Sequence, residues 1–408
     1  MSEHTVATGD AGSPVPGSTG ATTAAGSPRV RIETVEVPAS PDDPGAWAVH
    51  GTVLVSEAVD EQVYGHTDLS LDAGTVVNSV ASGGYRRTVR RVAVADGAAP
   101  GSPARPEDVV GRSMVSMPLE GGTHVALVHV AVRPEHRRRG VGTALWEDAL
   151  AITRDAGRHV VQGDSSFAPE PPPGPGALEA PTGSGRVPRD AAATRFVLRR
   201  GFTLEQVQRH SVLDLPVPAA RLDPLRAAAT ERGADYRVHV WTDDVPERWL
   251  DQVAVLETRM STDAPNAGLE VEEDPWDAQR VRTTVQDVHD RGQGFVIAAA
   301  EHVPTGTLAG FSMVTYPLDK PAVVYQEDTL VLREHRGRSL GMLVKVAVLD
   351  ELARSRPTAR RVHTWNAQEN DHMLAINVAL GFAPTSVDAE WQLRLGEPDD
   401  GPGATPEG

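Results

Sequence analysis

His136-Arg-Arg-Arg-Gly-Val-Gly142 and His335-Arg-Gly-Arg-Ser-Leu-Gly341 are two copies of one short turn rich in arginine and glycine. Each copy follows an apolar segment and precedes a segment in which apolar residues recur at helical spacing. The first N–H groups of a helix lack partners within the helix, and the helix dipole adds positive charge at the same end. Both turns are therefore predicted to bind an anion such as a pyrophosphate.

The segments that flank the turns predict a strand, a turn and a helix in that order. Val125–Val132 is apolar enough for a buried strand, and Pro134 ends it. Apolar residues then follow helical spacing after each turn, namely Val141, Ala144, Leu145, Ala149 and Ile152 in the first copy and Leu340, Leu343, Val344, Ala347 and Val348 in the second.

These residues resemble the acetyl-CoA signature of the GCN5-related N-acetyltransferase (GNAT) superfamily, (Gln/Arg)-x-x-Gly-x-(Gly/Ala), which joins strand four to helix three. Arg137–Gly142 fits the signature fully, and Arg336–Gly341 departs from it at Ser339. The later motif of the superfamily, a strand and short helix that close over the cofactor, resembles Asn366–Phe382. A shorter version is present at Phe196–Phe202.

The chain as a whole resembles the tandem, two-domain acetyltransferases of actinobacteria. The resemblance implies an α/β fold of two tandem GNAT domains, each a mixed, mostly antiparallel twisted sheet flanked by helices. The predicted segments are a disordered tail at 1–28, a first domain at 29–215 with a Pro/Gly-rich surface loop inserted at 168–188, a connecting helix or linker at 216–235, a second domain at 236–396 and a disordered tail at 397–408.

Composition narrows the classes of function. A length of 408 residues suits about two domains. The chain has no cysteine, which excludes disulfides, thiolate metal sites and a cysteine nucleophile, and we expect no metal. The formal net charge of −17 argues against nucleic acid and favours a cationic or neutral partner, although the same charge also serves solubility. With no membrane-spanning apolar run and no signal-peptide pattern, we expect a cytoplasmic protein without membrane contact.

The resemblance implies that acetyl-CoA binds along strand four and at the turn that follows it. The donor that polarises the thioester would be a main-chain N–H of strand four, and asparagines of the closing motif are candidates for the pantetheine amides. The cofactor-binding residues predicted in this way are Val130, Ala131, Val132, Arg137, Arg138, Arg139, Gly140, Val141, Gly142, Thr143, Leu330, Val331, Leu332, Arg336, Gly337, Arg338, Ser339, Leu340, Gly341, Met342, Asn366 and Asn370. Capping of the helix near Asp371 is the alternative role of Asn370.

Acetyl transfer to an amine also needs a base for the amine and a proton for the departing thiolate. Glu327 is the first candidate for the base and Asp328 the second, because both lie just before the apolar end of strand four. A hydrated carboxylate at a strand end is the alternative. In the first copy the matching strand offers only His129, which is also typical of a packed core histidine.

The proton donor of the superfamily is a tyrosine of the closing motif. Aligned on Gly-Phe, Asn377 stands at its position in the second copy and Val197 in the first. Neither side chain donates a proton at ordinary pH, so Asn377 is predicted only to hydrogen-bond the sulfur or pantetheine. Tyr325 is a further candidate proton donor.

We expect the chemistry in the second copy, which has the strand-four carboxylates and the asparagine-rich closing motif. Met260–Gly268, with the acidic residues and Trp276 that follow it, lies where the superfamily places its acceptor loop. A solvated acidic loop is the alternative. The leading hypothesis is direct transfer of an acyl group from acetyl-CoA to a primary amine of a small molecule. The alternatives are a mycothiol synthase-like acetyltransferase and an acyl-CoA-binding or sensing module without turnover.

Overall fold

The computed structural model describes residues 30–36, 38–81, 84–95 and 104–396, so both predicted tails lie outside the described residues. Two series of elements follow one another along the chain. The first contains β1 (Val30–Thr34), α1 (Trp47–Tyr64), α2 (Ala73–Ala81), β2 (Arg86–Ala95), β3 (Val109–Pro118), β4 (Val125–Val132), α3 (Val141–Asp155), β5 (Val160–Phe167), β6 (Ala177–Glu179), β7 (Arg186–Pro188), α4 (Ala192–Leu198) and β8 (Thr203–Asp214).

The second series repeats this plan after a helix that joins the halves. It contains α5 (Ala219–Arg232), β9 (Tyr236–Thr242), α6 (Leu250–Asp263), α7 (Ala278–Asp290), β10 (Gln293–His302), β11 (Thr307–Pro317), β12 (Val323–Val331), α8 (Leu340–Ser355), β13 (Arg361–Ala367), α9 (Asp371–Leu380) and β14 (Ala383–Arg394). The elements up to β8 are called the first half below, and those from α5 onward the second half.

One twelve-stranded sheet runs through both halves in the order β1-β2-β3-β4-β5-β14-β8-β13-β12-β11-β10-β9. Its pairs are antiparallel except β4 with β5 and β12 with β13. The last strand of each half is exchanged: β14 lies between β5 and β8, and β8 lies between β14 and β13. Each half therefore completes the sheet of the other.

The exchanged strands are buried where the halves meet. Trp391 of β14 is 1% exposed, and its indole Nε1 donates a hydrogen bond to Ser165 Oγ of β5 at 2.7 Å. Val387 of β14 packs in the same core cluster as Val161 of β5. Since full burial of one large apolar side chain contributes on the order of 2–3 kcal/mol, the exchange joins the halves through a shared core.

The helices of the second half pack on opposite faces of the sheet. Leu340, Val344, Val348 and Leu352 of α8 recur every four residues and pack in one cluster with Val296, Ala298 and Ala300 of β10. The alternate residues of β10, Phe295, Ile297 and Ala299, pack in another cluster with α6 and α7. Because side chains of a strand alternate between faces, α8 covers one face and α6 with α7 cover the other.

The Pro/Gly-rich segment 168–188 differs from the surface loop that its composition predicts. It contains a hairpin in which β6 pairs with β7, from Ala177 opposite Pro188 to Glu179 opposite Arg186. Val187 is fully buried, and Arg186 forms an ion pair with Glu170 at 3.1 Å. Among the described residues, no helix is both long and apolar enough to cross a membrane.

Candidate functional site

Each predicted anion-binding turn contains two residues in the left-handed conformation, spaced two apart, directly before its helix. In the first turn these are Arg138 at φ 61° and Gly140 at φ 85°. In the second they are Gly337 at φ 80° and Ser339 at φ 58°. The backbone thus follows the same path in both turns. The glycine is the second of the two left-handed residues in the first turn and the first of them in the second turn. Such turns direct consecutive N–H groups toward one point, which suits an anion.

The first arginine of each turn ties the turn to the fold. Arg137 Nε donates to Val132 O at 3.0 Å, and Arg336 Nε donates to Val331 O at 3.0 Å. The guanidinium of Arg336 also bonds Asp263 of α6 at 2.9 Å. Arg137 therefore holds the first turn against β4, and Arg336 holds the second turn against β12. Other arginines of the turns, namely Arg138, Arg139 and Arg338, are exposed.

The last glycine of each motif faces a neighbouring helix. A Cβ added at Gly142 would lie 3.5 Å from Phe196 of α4, and one added at Gly341 would lie 3.2 Å from Ile376 of α9. Gly142 and Gly341 are both among the residues predicted from the sequence to bind the cofactor. In the structure these glycines let the closing helix approach the helix that follows the turn.

The parallel strand pairs beside the turns separate early. β4 and β5 pair only from Val125 opposite Val160 to Leu127 opposite Gln162, and β12 and β13 pair only from Val323 opposite Arg361 to Tyr325 opposite His363. Beyond the last rung each pair opens toward its anion-binding turn. The two openings are called the first and second cleft.

The first cleft is bridged by side chains. His129 Nδ1 of β4 lies 2.7 Å from Asp164 Oδ1 of β5, and His129 is 9% exposed. Gly163 also brings β5 close to β4, since a Cβ there would lie 2.6 Å from Val128 O. The candidate base of the first half is thus paired across its own cleft.

The second cleft begins at a β-bulge. Val314 of β11 pairs with Gln326 of β12, but Ser312 pairs with Thr329, so one extra residue is accommodated at Glu327 and Asp328. The matching pair in the first half, β3 with β4, has no register shift along its paired residues. A bulge redirects side chains and is common beside active sites. It turns the predicted carboxylates toward α6 and α7.

A pocket lies between these helices and the sheet, and it is lined by three carboxylates. Glu257 of α6 joins Glu327 and Asp328, and Trp276 with apolar side chains of α7, β10 and β11 completes the wall. The volume of the pocket that is available to the centres of water molecules is about 80 Å³. Because one water needs about 10–15 Å³ by this measure, the pocket can hold a small organic group.

Burial raises the pKa values of all three carboxylates of the pocket. Burial raises the pKa of Glu257 to about 8, with the charges of Asp328 and Glu327 adding to the effect. Burial also raises the pKa of Asp328 and of Glu327. Thr315 donates a hydrogen bond to Oε1 of Glu327 at 2.5 Å, and this bond lowers the pKa of Glu327 against the effect of burial. A cation entering the pocket would stabilise the charged forms.

The acidic loop before α7 faces the other half, not this pocket. Glu270 and Glu272 approach His124 of the first half at 3.1 and 3.6 Å, and Asp274 pairs with Arg280 at 2.6 Å. Trp276 lines the pocket, whereas Glu270, Glu272, Glu273 and Asp274 do not. The acidic residues of this loop thus contact the other half or Arg280, whereas the carboxylates that line the pocket belong to α6 and β12.

The narrow end of each cleft is held by a loop of the opposite half. In the second cleft, Tyr325 donates to the main-chain oxygen of Asp68 at 2.6 Å, while the Asp68 carboxylate bonds Arg361 at 2.6 and 2.9 Å and His363 at 3.3 Å. In the first cleft, Gln162 donates to Glu270 O at 2.9 Å. Both contacts stand at the last paired rung of the parallel strands.

The residues predicted to act near the thiolate or the pantetheine bond other parts of the protein. Burial raises the pKa of Tyr325 far above its usual range, and its hydroxyl is committed to Asp68. Asn377 is 3% exposed and donates to Asn366 Oδ1 at 2.6 Å. Asn370 caps α9 by accepting from the main-chain N–H of Met373 at 3.2 Å, so its alternative role is confirmed.

Two site residues escaped the sequence analysis. Glu257 lies within α6, and nothing in its sequence neighbours marks it as a residue of a pocket. Lys345 lies within α8 and is 2% exposed. The available signal for Lys345 is compositional, since the chain has only two lysines, Lys320 and Lys345, beside 37 arginines. No group of three or more histidine, aspartate or glutamate side chains in the described part of the chain is arranged to hold a metal ion.

The sequence and the structure of this chain are similar to those of known acetyltransferases. Residues 86–163, from β2 to β5, match the Acetyltransferase (GNAT) family. No curated protein sequence matches the chain. A tandem GNAT protein from the clavulanic acid biosynthesis pathway, solved without acetyl-CoA, is similar with a TM-score of 0.66 and 26% identity, covering 90% of this chain and 100% of that one. A GCN5-related N-acetyltransferase from Sphaerobacter thermophilus is similar in fold, with a TM-score of 0.54 and 14% identity over 90% of this chain and 96% of that one.

Proposed function

This chain is a tandem, two-domain member of the GCN5-related N-acetyltransferase superfamily, and we propose that it transfers the acetyl group of acetyl-CoA directly to a primary amine of a small molecule, with the chemistry in the second half. The pocket of Glu257, Glu327 and Asp328, open beside the bulge of β12, carries this proposal. The proposal keeps the division into domains at 29–215 and 236–396.

The residues of the second turn fit acetyl-CoA as the acyl donor. The left-handed residues Gly337 and Ser339 direct main-chain N–H groups toward one point, and Arg336 and Arg338 are exposed beside it. The second cleft opens toward this turn along β12. Main-chain N–H groups near Leu330 are the proposed donors to the thioester carbonyl.

The pocket fits a cationic amine better than a neutral or anionic acceptor. Three carboxylates with raised pKa values share one largely apolar space, so an ammonium group there would gain charge-assisted hydrogen bonds. Its volume suits a small group or the end of a longer molecule. The relative from clavulanic acid biosynthesis also favours a small-molecule acceptor over a protein.

The base is assigned to Glu327. Its carboxylate stands on the bulge that begins the cleft, where the amine and the acyl carbon would meet. Thr315 fixes one oxygen of that carboxylate, and the raised pKa brings Glu327 nearer to the range in which a carboxylate takes a proton efficiently. Glu257 and Asp328 would hold the ammonium form until the proton is removed.

The test is release of free thiol from acetyl-CoA by the full chain in the presence of a panel of small amines. We expect turnover with at least one cationic amine, and we expect Glu327→Gln to lower kcat by about 10²-fold or more, as loss of a general base does. Glu334→Gln, an exposed acid beyond the strand, is the matched control and should behave as the wild type. Acetyl-CoA binding without thiol release on any amine would instead favour a binding or sensing module.

A further inference from the structure

Lys345 is a buried amine in a chain that otherwise uses arginine for its positive charges. The sequence has two lysines and 37 arginines, and Lys345 is 2% exposed. Its Nζ donates a hydrogen bond to Gln326 Oε1 at 3.0 Å. Lysine differs from arginine in that its proton can be lost near neutral pH when the group is buried. A lysine at this position therefore allows proton transfer, which an arginine would prevent.

Lys345 lies at the narrow end of the second cleft. Gln326 is the first residue of β12 beyond its last rung with β13. Lys345 is five positions after Leu340, the first residue of α8, so its Cα lies more than one helical turn beyond the anion-binding turn. The strand from Leu332 back to Glu327 covers about 16 Å. An extended pantetheine arm running from the turn along β12 would thus bring its sulfur toward Gln326 and Lys345.

The candidate base and Lys345 lie on opposite faces of β12. Glu327 lines the pocket under α6 and α7, whereas Lys345 reaches Gln326 from α8, which covers the other face. An amine that enters from the pocket would attack the acyl carbon from one face. The thiolate would then leave on the face where Lys345 stands.

Within the part of the chain that the structure describes, no charged group pairs with Lys345. Burial lowers its pKa to about 7, and burial alone causes this shift among the described residues. The side chain also faces the ring of Phe382, whose centre lies 5.8 Å from Nζ. The titratable and charged groups on this face lie toward the two ends of α8 or at its contact with α5. They are Tyr236 and His335 before its start, Arg226 of α5 paired with Asp350, and Tyr316, Asp243, Glu351 and Arg356 toward its end.

We propose that Lys345 is the catalytic acid that protonates the departing thiolate of coenzyme A, in place of the tyrosine that Asn377 replaces. This rests on the proposed function. The amine nitrogen forms a bond to the acyl carbon and gives its proton to Glu327, the C–S bond breaks with its electron pair on sulfur, and sulfur takes a proton from the ammonium of Lys345. After the thiol leaves, Glu327 releases its proton to solvent and Lys345 takes one up, so that both groups return to their starting states. Asn377 cannot serve, since its amide is not acidic and is bonded to Asn366.

The deciding variant is Lys345→Met, with Lys320→Met, the only other lysine, as the control. Lys320 bonds main-chain oxygens of Thr67 and Ser70, so its loss should affect stability and not the chemistry. We expect Lys345→Met to lower kcat by about 10²–10⁴-fold, with a much smaller change in KM for acetyl-CoA, and to melt no lower than the wild type because a buried amine is removed. A kcat for Lys345→Met within about twofold of the wild type overturns the proposal.

A second variant retains the lysine and moves its pKa. Gln326→Glu places a carboxylate at the same 3.0 Å contact and should raise the pKa of Lys345. In the wild type, kcat should fall as pH rises above about 7, since the acid is then deprotonated. In Gln326→Glu this decline should shift to higher pH, whereas a structural role would leave it in place, and an unshifted decline refutes the proposal. If the wild type releases no thiol on any amine, the proposed function itself fails, so the two failures are distinguishable.

Discussion

The carboxylates of the pocket are expected to destabilise the free protein, and Glu257→Gln tests this directly. Burial raises the pKa of Glu257 to about 8, against 4.5 for an ordinary glutamate. Between these values the folded protein keeps a proton that the unfolded chain releases, so the free energy of unfolding falls as pH rises. Glutamine has the same shape and does not titrate. The variant should therefore lose less stability than the wild type over the same range of pH.

The size of the effect follows from the shift. Each pKa unit corresponds to about 1.36 kcal/mol, so the interval from pH 5.5 to pH 8 would account for roughly 3 kcal/mol if the group were wholly shielded. Glu257 borders the pocket and keeps partial exposure, which reduces the figure to on the order of 2 kcal/mol. We expect the melting temperature of Glu257→Gln to exceed that of the wild type by a few degrees at pH 8, and we expect this difference to become smaller toward pH 5.5.

The assay is thermal unfolding of the full chain across this pH range. Glu231→Gln, an exposed position in α5, is the control and should follow the wild type throughout. A small cationic amine that binds in the pocket should raise the melting temperature of the wild type more than that of Glu257→Gln, because it neutralises the charge of the carboxylates. Parallel melting curves for Glu257→Gln and the wild type between pH 5.5 and pH 8 would refute the account of this pocket.

Further predictions concern the turns, the inter-half contact and the first cleft. Ser339→Gly should raise the stability of the chain by about 1 kcal/mol in denaturant unfolding, and Gly140→Ser should lower it similarly, because only glycine adopts these left-handed conformations without strain. Asp68→Asn should destabilise the protein by about 2 kcal/mol at neutral pH. Hydrogen bonds from His363 and Arg361 help hold the pKa of Asp68 well below its usual range. The difference in stability between Asp68→Asn and the wild type should therefore vanish as pH falls below the normal range of aspartate. Melting temperatures measured over a series of acidic pH values test this. Gly163→Ala should cost about 1–3 kcal/mol in denaturant unfolding, since its Cβ would lie 2.6 Å from a main-chain oxygen of β4.

The local elements of this fold could be predicted from the sequence because each depends on its own residues. Val125–Val132 forms β4 as the apolar pattern indicates, and α3 and α8 begin directly after the two turns. The segment from 219 to 232 forms the predicted joining helix. These outcomes rest on hydrophobic spacing and turn chemistry, which act over a few residues.

The exchange of β8 and β14 could not be predicted in the same way. Both strands have the pattern of a half-buried strand, and either could complete the sheet of its own half or of the other. The choice depends on contacts between residues far apart in sequence, such as Trp391 with Ser165. Glu257 and Lys345 escaped prediction for a related reason, since their burial follows from how α6 and α8 dock and not from their neighbours along the chain.

The exchange also gives a reason for keeping a first half whose own cleft is bridged by His129 and Asp164. The second cleft depends on the first half for the strand that flanks β13 and for Asp68, which holds Arg361 and His363 at its narrow end. We infer that the first half serves the chemistry of the second by fixing the point where β12 and β13 separate. Loss of that support would displace the proposed acid and the proposed base on the two faces of β12 from the acyl carbon between them, and a displacement of about 1 Å can lower turnover about 10²-fold.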